Sequence, residues 1–111
     1  MLIYKIFRTD EWRALEAEGE TLGAPIDLAD GFVHFSTAAQ AAETAEKYFA
    51  GVEGLMLIAV ESDSCAPLKW EPSRGGDLFP HLYRALELSD VLWAKPLRCK
   101  GTGHIFPPEM Q

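Results

Sequence analysis

Basic residues are scarce in this chain. It carries 10 Lys and Arg against 17 Asp and Glu, a formal net charge of −7, with a pI of about 4.8. That balance excludes phosphate-backbone binding as the main activity, because such binding rests on clustered cations. Cysteine is scarcer still. Cys65 and Cys99 stand alone, without the paired spacing of a zinc site or a disulfide framework. The longest apolar run, Leu55–Val60, falls far short of the ~20 residues that a membrane span needs. No basic segment followed by an apolar stretch and a cleavage site opens the chain, so no export signal is expected and a cytoplasmic protein is. Nor does Ser36 sit in the Gly-x-Ser-x-Gly elbow of a serine nucleophile.

What remains is an ordinary globular composition, 48% hydrophobic and 24% charged over 111 residues. Folding at that length buries roughly two-thirds of the unfolded surface, enough for one core. A single domain over 1–111 is expected, with its core in 1–99 and an irregular tail over 100–111, where Gly101, Gly103, Pro107 and Pro108 collect.

Leu2–Phe7 is β-branched and aromatic and reads as a strand, with Thr9 placed to cap a helix over 10–18 that Gly19 ends. Residues 19–31 are rich in glycine and form a loop with one short turn near Ile26–Asp30. Phe32–Phe35 is a second strand. Thr37-Ala-Ala-Gln40 has the form of a capping box, opening an alanine-rich helix that runs to about Phe49. Leu55–Glu61 is apolar almost throughout, as a strand covered on both faces is. Pro67–Glu71, Phe79–Leu86 and Val91–Leu97 are further strands. Helices early and strands late indicate an α+β fold with two main helices.

Chemistry concentrates in two segments. In Gly31-Phe-Val-His-Phe-Ser-Thr37 a strand presents His34 and Ser36 on one face and runs into a helix N-terminus, whose free amides suit a carboxylate, a phosphate or an amide carbonyl. The plainer reading makes Ser36 and Thr37 helix caps and His34 a satisfied core histidine. In Trp70-Glu-Pro-Ser-Arg-Gly-Gly-Asp-Leu-Phe-Pro-His-Leu-Tyr83, His81 and Tyr83 share a strand face, and Arg74 sits in a glycine loop able to close on an anion. There the plainer reading is a turn ordered by Phe79-Pro80, with the Tyr83 hydroxyl at its rim. His34, His81 and His104 lack metal-ligand spacing, so no metal is expected.

The Ile-Tyr strand, Glu11-Trp12, Gly31-Phe-Val-His-Phe-Ser-Thr37, Trp70-Glu-Pro72 and Phe79-Pro-His-Leu-Tyr83 resemble a family of small bacterial proteins, domain of unknown function 952, over nearly the whole chain to about Leu97. That family is in turn remotely similar to the ADP-ribosyltransferase fold. The resemblance implies a small split β-structure that binds NAD or a related nucleotide in a cleft. It places Lys5 at the first-strand position and His34 at the second, with His81 and Tyr83 on the late strand. Two departures stand out: Lys5 replaces a histidine common in the family, and the late strand lacks the catalytic glutamate, for which Glu71 and Glu87 are the available substitutes. The expectation is therefore a small polar ligand, of the NAD type, held by Lys5, Ser36, Thr37, Arg74 and Tyr83, with His34 and His81 as acid and base in ADP-ribosyl or phosphate transfer or hydrolysis. The alternative is a non-catalytic protein-interaction domain whose histidines are structural.

Overall fold

The computed structural model describes residues 1–101 and 103–110, with the side chains of Arg74 and Glu109 left out. Its first strand, β1 (Leu2–Arg8), is buried from Ile3 to Phe7. Such burial requires cover on both faces. Ile3 and Phe7 enter one apolar cluster with Leu15, Val33, Phe35, Ile58, Val60 and Leu82. Tyr4 and Ile6 enter the other with Ala41, Ala45, Leu55, Leu57, Ala59 and Leu97. The period of two along a strand thus divides the core into two layers.

Helix α1 (Thr9–Glu18) follows at once and ends at Gly19, whose φ of 81° suits a residue without Cβ. Thr9 does not cap it. The chain enters α1 straight from β1 with Arg8 at the N-cap. The Glu11 carboxylate accepts from the Arg8 amide at 2.8 Å, while the Thr9 hydroxyl donates to the Gly54 carbonyl.

Next come β2 (Glu20–Thr21), α2 (Pro25–Asp30), β3 (Val33–His34) and α3 (Ala38–Tyr48). The short turn expected near Ile26–Asp30 is the six-residue α2. Helix α3 begins with the capping box read from the sequence: Thr37 Oγ1 accepts from the Gln40 amide at 3.2 Å, and Gln40 Oε1 accepts from the Thr37 amide at 3.0 Å.

The strands β4 (Leu55–Glu61), β5 (Leu68–Pro72), β6 (Leu78–Leu82), β7 (Leu86–Glu87), β8 (Val91–Lys100) and β9 (Gly103–Ile105) complete the chain. Among the described residues all pairings are antiparallel. One sheet has the order β1, β4, β8, β9, a second β3, β6, β5, and a third pairs β2 with β7. The fold is α+β, with three α-helices among the described residues. β1 lies at the edge of the four-stranded sheet, yet Tyr4 and Ser36 exchange backbone hydrogen bonds of 2.7 and 2.8 Å. That one bridge joins the two larger sheets along β1.

Two further expectations change. The strand read over Phe79–Leu86 is broken into β6 and β7. Between them Arg84 donates to the carbonyls of Ala66 and Ala85 and to both Asp90 oxygens, which turns the chain toward β2. The tail from Lys100 is not irregular. Gly101, at φ 65°, lets the chain fold back as β9 on β8, and Met110 reaches the second cluster at 6% exposure.

Truncation of a core side chain measures both claims. Leu57→Ala and Met110→Ala are each expected to cost about 2–5 kcal/mol in urea unfolding. A Met110 effect below about 0.5 kcal/mol would show that the tail does not pack on the core.

Candidate functional site

Lys5 is the one charged residue on the buried stretch of β1, and the fold answers it with Asp27. The Lys5 ammonium is 2.8 Å from Asp27 Oδ2 and donates to the His34 carbonyl at 2.9 Å. Asp27 is fully buried and accepts from every side: the Ala24 amide (2.7 Å), the His34 amide (2.9 Å) and the His34 ring. Burial is the strongest single influence on its carboxyl and pushes it up. The His34 hydrogen bond and the Lys5 charge together overcome it and hold the group at about 2. Gly23, at φ 103°, belongs to the same device, since a Cβ there would collide with the Asp27 carboxylate.

The histidines stand side by side. His34 of β3 faces His81 of β6 in the strand register, and their ring centroids lie 5.2 Å apart, edge to face. Each has its own carboxylate. Asp27 Oδ1 sits 2.5 Å from His34 Nδ1, and Asp30 Oδ2 lies 3.0 Å from Nε2. Glu71 Oε1 lies 2.9 Å from His81 Nδ1 and accepts the Tyr83 hydroxyl at 2.6 Å. Those two donors hold Glu71 below the usual carboxylate range, and Glu71 raises the Tyr83 phenol in return.

A carboxylate on Nδ1 is the arrangement that orients an imidazole for proton transfer through Nε2. In His34 that nitrogen meets the Asp30 carboxylate, in a side chain that is 26% exposed. In His81 it is enclosed. Among the described residues no group bonds His81 Nε2, and an unpaired buried acceptor of this kind costs about 1–3 kcal/mol.

Phe32 ties the cluster together. Its ring centroid lies 4.2 Å from that of His81, 4.6 Å from His34 and 5.1 Å from Tyr83. Phe32 also lines an open hollow of about 350 Å³ with Leu22, Leu28, Gly31, Tyr83 and Arg84. Lys69 stands over the Tyr83 ring at 4.8 Å.

Of the residues singled out in the sequence, Lys5, His34, His81 and Tyr83 come together. Ser36 and Thr37 do not join them through any described contact: the Ser36 hydroxyl meets Thr44 of α3 at 3.2 Å, and Thr37 caps that helix. The Arg74 side chain lies outside the described residues. Glu71, not Glu87, is the carboxylate brought to the histidines. His104 is remote from them, its Nε2 2.9 Å from the Val52 carbonyl. The sequence reading missed Asp27, Asp30 and Phe32. An aspartate one turn into a helix that ends at the His34 strand was a usable signal for Asp27, but its cation lies 22 residues away and no local pattern marks it.

Asp27 makes the fold sensitive to acid. Its carboxyl titrates near 3.8 in the unfolded chain and near 2 in the folded one. The resulting stabilisation, about 2 kcal/mol, is complete above about pH 5 and is lost as pH falls toward 2. Asp27→Asn is expected to remove this dependence and to cost about 3–5 kcal/mol, because Lys5 stays buried without its countercharge. Lys5→Met in the same background should recover part of the loss. Urea unfolding between pH 2 and 7 checks both, and an unchanged acid limb in Asp27→Asn would refute the assignment.

No curated protein matches the chain. The crystal structure of protein CC0527 from Caulobacter crescentus is similar, with 48% identity over 94% of this chain and 92% of that one and a TM-score of 0.89. A double mutant of CC0527 gives the same figures. The solution NMR structure of CC0527 gives 49% identity, 93% and 90% coverage and a TM-score of 0.83. The family model described as a protein of unknown function, DUF952, matches residues 6–94. With most of its length matched, both histidine dyads included, this chain belongs to the DUF952 family.

Proposed function

We propose that the chain binds a nucleotide of the NAD type, or another small polar ligand, in an ADP-ribosyltransferase-like cleft beside His34, His81 and Tyr83. The observation that carries this reading is the pair of histidine–carboxylate dyads set at one register position of β3 and β6, next to an open hollow. Two oriented imidazoles at one place supply a proton donor and a proton acceptor, which transfer or hydrolysis at a ribosyl or phosphate centre requires. His34 offers Nε2, which lies against the exposed Asp30 carboxylate, as its proton-transfer atom. Glu71 stands where a carboxylate could stabilise developing positive charge at a ribosyl carbon. Tyr83 and Phe32 offer ring faces for stacking. Lys5 acts through Asp27 and the His34 carbonyl, as a positioning residue and not as a ligand contact.

A second reading has its own support. Leu22, Ile26 and Leu28 are 58–61% exposed around α2, and two of them line the hollow. Such a face suits a non-catalytic protein-interaction domain.

A thermal-shift screen with NAD, ADP-ribose and mononucleotides decides between them. At 100 times its dissociation constant a ligand stabilises by roughly 2.7 kcal/mol, several degrees in a domain of this size. The expected result is a shift in the wild-type chain that His34→Ala and His81→Ala lose while remaining folded. An undiminished shift in both variants would overturn the site. No shift with any nucleotide would favour the interaction domain.

A further inference from the structure

We infer that Asp30 is a positioning residue that keeps a second proton on His34, which makes His34 the acid of the site, serving a bond that breaks at oxygen. The inference rests on the cleft being a ligand site. It adds which histidine gives the proton and what kind of atom receives it.

The two rings are not equally supplied. His81 meets one carboxylate, Glu71 at Nδ1. His34 meets two from α2, Asp27 at Nδ1 and Asp30 at Nε2. Asp27 is held ionised, with its carboxyl at about 2, and a carboxylate can only accept, so His34 Nδ1 donates to it. A bare lone pair on Nε2 would then face an Asp30 oxygen at 3.0 Å, two electron-rich atoms in contact. A proton at Nε2 turns that repulsion into an ion pair, and of the two groups an imidazole is the stronger base.

Charge balance points the same way. Among the described residues the charged and titratable groups against His34 are Asp27 and Asp30 of α2, Lys5 of β1 at the His34 carbonyl, and His81 of β6. Lys5 answers Asp27. Asp30 is left with His34 as its ion-pair partner among the described residues.

An acid held in this way serves a leaving group that departs as an anion. In hydrolysis the bond from a ribosyl carbon or a phosphorus to oxygen breaks, its electron pair stays on that oxygen, and the oxygen takes the His34 Nε2 proton. The attacking water forms the new bond and gives up a proton, which restores the two-proton ring. Asp27 keeps the Nδ1 proton throughout. Nicotinamide leaves NAD as a neutral base and needs no proton, so the class of ligand is an O-glycoside or a phosphate ester.

The ring ¹⁵N spectrum of the full, ligand-free chain at neutral pH tests this. His34 is expected to show protons on both nitrogens. Asp30→Asn, a near-isosteric change in a side chain that is 45% exposed, should remove the Nε2 proton and leave the Nδ1 proton in place. Asp30→Glu should restore it. A role for Asp30 in stability alone would not move these signals. An unprotonated Nε2 in the wild-type chain, or an Nε2 proton unchanged in Asp30→Asn, would overturn the inference. So would release of nicotinamide from NAD at the same rate by the wild-type chain and Asp30→Asn. A chain whose Nε2 proton depends on Asp30 but that shows no thermal shift with any nucleotide keeps the positioning role and loses the nucleotide reading. A chain that binds ADP-ribose with an unprotonated Nε2 keeps the cleft and loses the acid.

Discussion

Lys5 and Asp27 meet 2.8 Å apart where neither reaches water, and each is tolerated in the interior only because the other is there. A buried ion pair repays its desolvation only when the remaining polar positions are also satisfied. That condition is met. Asp27 accepts from two backbone amides, a ring nitrogen and an ammonium, and Lys5 adds a bond to the His34 carbonyl. Through these contacts one carboxylate ties α2 and β3 to β1. The position and ring orientation of His34 therefore follow from a charge on a different sheet.

The rest of the site is built outward from that tie. β3 is only two residues long and could not hold a side chain firmly by its own ladder. Its precision comes from the Asp27 bonds on one side and the pairing with β6 on the other. β6 brings His81, and β5 brings Glu71 opposite Phe79, one pair along from the Trp70 and Pro80 match. Each imidazole thus has a carboxylate from a neighbouring segment, while Phe32 closes the space between them. Among the described residues the buried polar atom of the cluster that has no partner is His81 Nε2.

Much of the fold is legible locally. The unbroken apolar run of Leu55–Glu61 marks β4, sandwiched between β1 and β8, and Thr37 with Gln40 marks the start of α3. Both signals are written within a few consecutive residues. Where two segments compete for one stretch, local reading fails. Phe79–Leu86 looks like one strand until Arg84 finds Asp90 and two carbonyls and bends it. Thr9 looks like a cap until Gly54 offers its carbonyl. Lys100 onward looks like a loose tail until β9 pairs with β8.

The candidate site divides along the same line. Composition, charge, the α+β order of elements and the prominence of His34, His81 and Tyr83 are properties of the sequence, because residue type and short-range spacing suffice to express them. Which carboxylate serves which histidine is not. Asp27 against Lys5, Glu71 against His81 and Phe32 across three rings are contacts between segments that are separated along the chain or that pattern alone does not pair. The closing of β1 on Ser36, of β3 on β6 and of β5 on β6 brings them into contact. Thr37 was legible as the cap of α3, because a helix N-terminus takes the nearest hydroxyl for its own free amides, whereas the turn of the Ser36 hydroxyl toward Thr44 is a contact that only the tertiary structure decided.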